Sequence, residues 1–126
     1  MPVANLIILI VEDERIIALD LRQKLRKLGY DVPCMAHNGR DAVRLAQELQ
    51  PGLVLMDIMI EGEIDGIETA RLIREHIDMP VIFVSACTDG PTRARAMCDA
   101  QSAFVSKPVE ISELKACIET LLGTGR

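Results

Sequence analysis

The chain has 126 residues, a formal net charge of −5 and a hydrophobic fraction of 49%. This length predicts one domain with its own hydrophobic core, and the core must be aliphatic because only 2% of the residues are aromatic. The modest acidic charge gives no support for direct nucleic-acid binding through a basic surface. No apolar run reaches the roughly 18 residues of a membrane-spanning helix, and the first ten residues lack the basic region of a secretory signal. We therefore expect a cytoplasmic protein with reduced cysteines.

Five short apolar segments predict β-strands. The first is a continuous apolar run, which is typical of a strand covered on both faces. The second contains Pro33, which lacks a backbone donor and so places that strand at a sheet edge. The predicted strands span residues 6–11, 31–36, 53–56, 81–84 and 103–106.

Segments with a helical spacing of apolar residues separate these strands. Gly29 suits the turn that ends the first helix, and Pro91 suits the first position of the fourth. Asn38 and Asp65 suit the N-caps of the second and third helices. Because strand and helix alternate five times, the pattern predicts an α/β fold with a parallel sheet between two helical layers. The pattern does not give the order of the strands. The predicted helices span about 14–28, 39–49, 66–77, 91 onwards and 110–122.

Polar side chains follow four of the predicted strands. Glu12 and Asp13 follow the first, Asp57 the third, Ser85 the fourth and Lys107 the fifth. The carboxyl ends of parallel strands meet at one edge, where open sheets of this type bind ligands. Three carboxylates at one edge would raise one another's pKa unless a cation lies among them, and oxygen ligands suit Mg²⁺. Carboxylate, divalent cation, lysine and hydroxyl together predict a site for phosphoryl chemistry, with an aspartate as the nucleophile.

Four motifs at these positions resemble those of the receiver domains of two-component response regulators, including the chemotaxis type. They are Ile-Val-Glu-Asp-Glu at 10–14, Leu-Val-Leu-Met-Asp at 53–57 with Asp-Gly at 65–66, Phe-Val-Ser-Ala at 83–86, and Phe-Val-Ser-Lys-Pro at 104–108. Each motif alone is weak, whereas all four in this order and spacing are specific. The resemblance implies a flavodoxin-like (βα)5 three-layer sandwich with a five-stranded parallel sheet of order 2-1-3-4-5. It also implies one receiver domain over residues 1–126, with a core of about 5–122 and no effector domain.

The resemblance assigns a phosphoacceptor and a metal site. Asp57 would accept a phosphoryl group from a histidine kinase or a histidine phosphotransfer protein. The side chains of Asp13 and Asp57 and the backbone carbonyl of Met59 would ligate Mg²⁺, and Glu12 would act through a bound water. The protein would catalyse only its own phosphorylation and slow dephosphorylation, and would not be an enzyme acting on an external substrate.

The same resemblance implies a conformational switch. Lys107 would pair with the phosphoryl oxygens, and the Ser85 hydroxyl and the Ala86 backbone N–H would bind them after phosphorylation. Phe104 would be the switch aromatic that turns inward when the serine moves, and the bond from Lys107 to Pro108 would be cis. The output would be contact with a downstream protein through the fourth helix, fifth strand and fifth helix, and a homodimer is also compatible with the family.

Simpler interpretations of these residues stay open at this point. Glu12 and Asp13 could cap the first helix, and Phe104 could be an ordinary core residue. The basic residues of the first helix could form a solvated face or the docking surface of the phosphodonor. A haloacid-dehalogenase-like phosphatase would need an acid where this chain has Met59. A flavodoxin-like nucleotide or flavin binder would need a phosphate loop in place of the acidic residues 12–14.

The chain also departs from the family pattern. The loop between Asp57 and Gly66 is one residue longer than the commonest version and lacks its Met-Pro pair. The segment 99–102 replaces the usual Gly-Ala before the fifth strand. Met59 and Cys87 are apolar at positions where hydrolytic water would approach. We therefore expect the lifetime of the phosphoryl group to differ from that of fast-hydrolysing members.

Overall fold

A computed structural model describes residues 6–86, 89–98 and 101–123, over which strands and helices alternate. Along the chain these elements follow one another as predicted, with each strand followed by a helix. The strands are β1 (Ile8–Val11), β2 (Met35–Ala36), β3 (Leu53–Asp57), β4 (Val81–Ser85) and β5 (Ser102–Ser106). The helices are α1 (Arg15–Lys27), α2 (Gly39–Leu49), α3 (Gly66–Arg74), α4 (Gly90–Ala96) and α5 (Ile111–Leu122).

All four strand pairings are parallel, and the sheet has the order β2-β1-β3-β4-β5. This confirms the flavodoxin-like fold that the family resemblance implies. The order reverses between β1 and β3, so a crevice opens at the carboxyl ends of these two strands. The position of Pro33 beside an edge strand is also as predicted, because β2 lies at one end of the sheet.

The core has two parts, one on each face of the sheet. One part packs against α2, α3 and α4, and the other against α1 and α5. Alternate residues of β1 serve the two parts, with Leu9 and Val11 on one face and Ile8 and Ile10 on the other. Burial on both faces explains why the strands read as continuous apolar runs rather than alternating ones. None of the described helices is long and apolar enough to cross a membrane.

The second strand is shorter than predicted. It covers only Met35–Ala36, preceded by an isolated bridge between Ile7 and Asp31. The carbonyl of Val32 accepts hydrogen bonds from the side chains of two α1 arginines, at 3.0 and 3.3 Å, and Pro33 has no N–H to give. The backbone between 31 and 35 therefore cannot continue the ladder.

Two helix ends also differ from the prediction. Helix α4 begins at Gly90 rather than at Pro91, because the Asp89 side chain accepts a hydrogen bond from Thr92 N at 2.7 Å and so acts as the N-cap. Helix α3 ends at Arg74 rather than at residue 77. The backbone N–H of Glu75 is shared between carbonyls four and three residues back, and that of His76 bonds only three residues back, which tightens and ends the helix.

The link from β3 to α3 passes very close to the end of β3. Gly66, the first residue of α3, donates its backbone N–H to the carbonyl of Ile58 at 2.8 Å. A Cβ atom at this glycine would lie 2.1 Å from the Asp57 carbonyl oxygen, so only glycine fits. Asp65 precedes it as the N-cap of α3, as predicted, and accepts from Glu68 N at 2.8 Å.

Candidate functional site

A partly buried lysine joins two buried carboxylates at the carboxyl edge of the sheet. The Nζ of Lys107 lies 3.0 Å from Oε1 of Glu12 and 3.1 Å from Oδ2 of Asp57. The β1–β3 register brings the two acids together, since Val11 pairs with Met56 and the residues that follow these two are Glu12 and Asp57. The structure thus brings together the acidic and basic residues that the sequence placed at strand ends.

Burial controls the ionisation of this group. Glu12 is 1% and Asp57 4% exposed. Burial raises the pKa of Glu12 to about 7, against the hydrogen bonds from Lys107 and the Glu14 amide, and the charge of Asp57 adds to the increase. Burial alone would lower the pKa of Lys107, but its hydrogen bonds and attraction to the two carboxylates outweigh this and raise it. The lysine is therefore charged, while Glu12 can exchange a proton near neutral pH.

Three carboxylates lie close enough to hold one cation. Glu12, Asp13 and Asp57 each offer an oxygen, and these oxygens lie within 4.8 Å of one another. Asp13 is partly exposed, which leaves a route from solvent. One ammonium group cannot balance three carboxylates, and a hard divalent cation such as Mg²⁺ suits an oxygen set of this charge. The residues present therefore fit the metal that the family implies.

Each of the three carboxylates also accepts a hydrogen bond from a backbone amide. Two of the amides lie two residues further along the chain, and the third comes from the loop between β3 and α3. Such bonds fix the orientation of an acid without adding a side chain to the site. The bonds run from Glu14 N to Glu12 Oε2 (3.1 Å), from Met59 N to Asp57 Oδ1 (3.1 Å) and from Glu61 N to Asp13 Oδ2 (3.2 Å).

Both the sequence and the fold of this chain are similar to those of proteins whose family is known. A sequence model described as the response regulator receiver domain matches residues 8–119. The chain belongs to this family. Receiver domains act in two-component signalling and are generally non-enzymatic modules. The family assignment therefore replaces two alternative functions, the haloacid-dehalogenase-like phosphatase and the nucleotide- or flavin-binding module.

Solved receiver structures are similar to this receiver over nearly its whole length. The signal receiver domain of a modulated diguanylate cyclase from Desulfovibrio desulfuricans G20 is 38% identical, with 94% of each chain covered and a TM-score of 0.86. The N-terminal domain of a response regulator/sensory box/GGDEF three-domain protein from Carboxydothermus hydrogenoformans is 31% identical (93% of this chain, 94% of that one, TM-score 0.82). The PhyR receiver domain from Erythrobacter litoralis is 30% identical (94% and 91%, TM-score 0.80).

The residues expected to switch this receiver lie at the end of β4, in the loop after it and in β5. Ser85 ends β4 and is fully buried, and Ala86 follows it at the exposed start of the next loop. Phe104 is 8% exposed, and the guanidinium of Arg93 lies 4.8 Å from the centre of its ring. The Phe104 ring is thus largely shielded from solvent in this structure, and Arg93 of α4 forms part of the covering layer. The Lys107–Pro108 peptide bond is cis, as the family resemblance implied.

His37 is a part of this receiver's site that the sequence did not reveal. Its Nδ1 lies 2.9 Å from the backbone carbonyl of Glu12, and its Nε2 lies 3.3 Å from Nη1 of Arg15. A carbonyl can only accept, so Nδ1 carries the proton and Nε2 accepts from the arginine. His37 therefore ties the end of β2 to the acidic turn. The sequence alone does not reveal this contact because it depends on the β1–β2 register, in which Val11 pairs with Ala36.

Two departures from the family pattern lie partly outside the described residues. Cys87 and residues 99–100 are not described, so the predictions made for them stay untested. Met59, the other apolar residue near the acceptor, is 62% exposed. Cys34, Cys98 and Cys117 carry free thiols.

Proposed function

We propose that this receiver accepts a phosphoryl group on Asp57 from a histidine kinase or a histidine phosphotransfer protein. The observation that carries the proposal is the contact of the Asp57 carboxylate with Lys107, at 3.1 Å, beside the acids Glu12 and Asp13. A carboxylate held between a fixed ammonium and a cation site is poised for in-line attack on phosphorus.

In the transfer, an oxygen of Asp57 forms a bond to phosphorus while the P–N bond of the donor's phosphohistidine breaks. The imidazole leaves with the electron pair. Lys107 keeps its charge beside the acceptor and pairs with the incoming phosphoryl oxygens. Asp13, Asp57 and the Met59 carbonyl, with Glu12 through water, would hold Mg²⁺, which when bound neutralises charge on the transferred group. Catalysis is confined to the protein's own phosphorylation and slow dephosphorylation.

The switch that we propose follows from the burial of Ser85 and Phe104. A phosphoryl group on Asp57 would draw the Ser85 hydroxyl and the Ala86 amide towards its oxygens. Because Arg93 of α4 covers Phe104 in β5, any movement of the β4–α4 connection would change this cover as well. The phosphorylated state is thus one of two conformations whose populations shift, without turnover of an external substrate.

Helix α1 carries the surface that we propose for the phosphodonor. Ile16 is 84% and Leu19 is 50% exposed on this helix, which is unusual for large aliphatic side chains on one small surface. A cavity of about 330 Å³ between α1 and the segment after β5 is lined by Ile17 and Pro108 and reaches Lys107. A helical, apolar face of a histidine-bearing donor fits this surface and would bring its phosphohistidine to the acidic edge.

The downstream partner is proposed to bind a different surface, formed by α4, β5 and α5. Strand β5 is an edge of the sheet, and the helices α4 and α5 both contact it. These helices carry exposed apolar side chains at their ends, since Met97 after α4 is 41% exposed and Ile111 at the start of α5 is 37% exposed. An edge strand with flanking apolar side chains suits contact with another protein or with a second copy of the chain. The acidic net charge gives no reason to invoke nucleic acid.

The test of the acceptor is chemical phosphorylation followed by intact mass spectrometry. Incubation with acetyl phosphate or phosphoramidate and Mg²⁺ should add one phosphoryl group to the wild type, and Asp57→Asn should remove the adduct. Asp78→Asn, which changes an exposed aspartate outside the site, is the matched control and should be labelled normally. Absence of the adduct from the wild type with every donor, or its survival in Asp57→Asn, would refute the proposal.

A further inference from the structure

The loop between β3 and α3 contacts the acidic site through one backbone amide. The N–H of Glu61 donates to Oδ2 of Asp13 at 3.2 Å, across 48 positions of the sequence. Asp13 is the most exposed of the three clustered acids, since Glu12 and Asp57 are both buried. The loop therefore reaches the one carboxylate of the cluster whose surroundings leave it most freedom to rotate.

The loop is itself held in place on both sides of Glu61. Ile60 is buried, at 7% exposure. Ile64 packs against α2 so closely that a Cβ atom at Gly39 would lie 2.6 Å from its Cγ1. The exposed ion pair between Arg40 of α2 and Glu63 of the loop, at 3.3 Å, joins the same two elements but contributes little to stability. The amide of Glu61 is thus presented from a fixed backbone.

A partly exposed aspartate that must bind a cation loses side-chain freedom when it does so. A hydrogen bond to one of its oxygens restricts that freedom beforehand, and such supporting contacts change metal affinity by about 10- to 100-fold. The amide occupies one lone pair of Oδ2 and leaves the remaining lone pairs of the carboxylate for a metal ion.

From these contacts we infer that the backbone N–H of Glu61 is a positioning group, which orients the Asp13 carboxylate for a divalent cation. The inference gives the longer β3–α3 loop a role in cation affinity. Its consequence for phosphorylation rests on the proposed function of Asp57, but the effect on cation binding does not.

The contact comes from the backbone, so the side chain can be changed without touching it. Glu61→Ala keeps the N–H, whereas Glu61→Pro removes it, and both variants lose the same negative charge. The difference in Mg²⁺ affinity between these two variants therefore measures the contribution of the Glu61 backbone N–H. Mg²⁺ binding is measured by NMR titration of backbone amides, and independently by the shift of the thermal midpoint with Mg²⁺ concentration. We expect the dissociation constant of Glu61→Pro to be about tenfold higher than that of Glu61→Ala.

A positioning role also predicts how phosphorylation responds to Mg²⁺. With acetyl phosphate as the donor, the half-saturating Mg²⁺ concentration should rise in Glu61→Pro relative to Glu61→Ala. The rate at saturating Mg²⁺ should be the same in both. Equal dissociation constants, or a loss of rate that Mg²⁺ does not recover, would overturn the inference.

A measurement on the intact loop covers the case in which Glu61→Pro does not fold. Hydrogen exchange of the Glu61 amide should be slow in the wild type and faster in Asp13→Ala, and equal rates would overturn the inference. The two proposals fail separately. If the wild type takes no phosphoryl group while Glu61→Pro still weakens Mg²⁺ binding, the acceptor proposal falls and the positioning role stands. If labelling is normal while the two variants bind Mg²⁺ equally, the positioning role falls and the acceptor proposal stands.

Discussion

Arg95 of α4 donates a hydrogen bond to Asp65, the N-cap of α3, with 3.2 Å between Nη2 and Oδ2. The other carboxylate oxygen, Oδ1, accepts from the backbone N–H of Glu68 at 2.8 Å. The Asp65 carboxylate therefore caps α3 and also binds α4 through Arg95. Helix α4 has seven residues, and Ala96 is its one buried residue, so it has little apolar surface of its own to keep it in place.

Variants of Asp65 should separate the cap from the ion pair. Asp65→Asn keeps an equivalent cap and loses only the charge, so it should cost less than about 1 kcal/mol of unfolding free energy, as is usual for exposed pairs. Asp65→Ala should cost about 1 kcal/mol more. Urea denaturation measures both variants. Arg95→Met should match Asp65→Asn, and a cost for it as large as that of Asp65→Ala would contradict this division.

Removal of Lys107 should destabilise the metal-free protein. Lys107→Met leaves the buried acids Glu12 and Asp57 without their cation, which should cost about 3 kcal/mol of unfolding free energy at about pH 8. The cost should shrink as the pH falls, because Glu12 can then take up a proton, and added Mg²⁺ should restore part of the loss. Chemical denaturation with EDTA or with Mg²⁺ tests this. Lys115→Met, at an exposed position of α5, should stay within about 0.5 kcal/mol of the wild type.

The raised pKa of Glu12 predicts the pH dependence of stability. This carboxyl binds its proton more tightly in the folded state, with a pKa of about 7 against 4.5 for a freely solvated glutamate. The tighter binding of this proton adds roughly 3 kcal/mol to the free energy of unfolding below pH 4.5, and this stabilisation is lost as the pH rises through about 7. In EDTA, Glu12→Gln should lose this pH-dependent part.

The control for this profile is Glu48→Gln, which changes an exposed glutamate of α2. Its unfolding free energy should follow the wild-type pH profile. A Glu12→Gln profile with the same slope as the wild type between about pH 5 and pH 8 would show that another group is responsible.

Two glycines at equivalent helix positions should respond oppositely to alanine. Gly39 begins α2, and a Cβ there would lie 2.5 Å from the Thr69 hydroxyl and 2.6 Å from Ile64 Cγ1. Gly90 begins α4, and a Cβ there meets nothing within 4 Å. Gly39→Ala should therefore lose about 1–3 kcal/mol of unfolding free energy. Gly90→Ala should gain up to about 1 kcal/mol. Thermal unfolding compares them, and equal midpoints would mean that Ile64 moves aside without cost.

The sequence predicted those features that depend on local chemistry. Asn38 and Asp65 are caps because their short polar side chains bond to the third amide of the following helix. Asp57 and Lys107 lie at the same edge of the sheet because both stand at the carboxyl ends of parallel strands, which the alternation of strand and helix predicts. Their direct contact depends on the strand order as well. Gly29, with a φ of 95°, ends α1 as its conformational freedom allows.

Features that depend on how distant segments pack together could not be predicted from the sequence. The strand order came from family resemblance, since the pattern of elements is compatible with several orders. The contact of His37 with the Glu12 carbonyl requires the parallel register of β1 and β2. The shortening of β2 depends on arginines of α1 that occupy the carbonyl of Val32, a contact between a helix and a loop that no periodicity encodes.

The absence of a side chain at Gly66 bears on how α3 could respond to the acceptor. The first residue of α3 lies against the peptide of Asp57, and its N–H is bonded to the next carbonyl, that of Ile58. No layer of side chains separates the two backbones, so nothing between them can absorb a displacement. If the Asp57 peptide shifts towards the helix, α3 has to move with it as a rigid body. Its position then depends on the acceptor by direct main-chain contact, along a route that involves neither Ser85 nor Phe104.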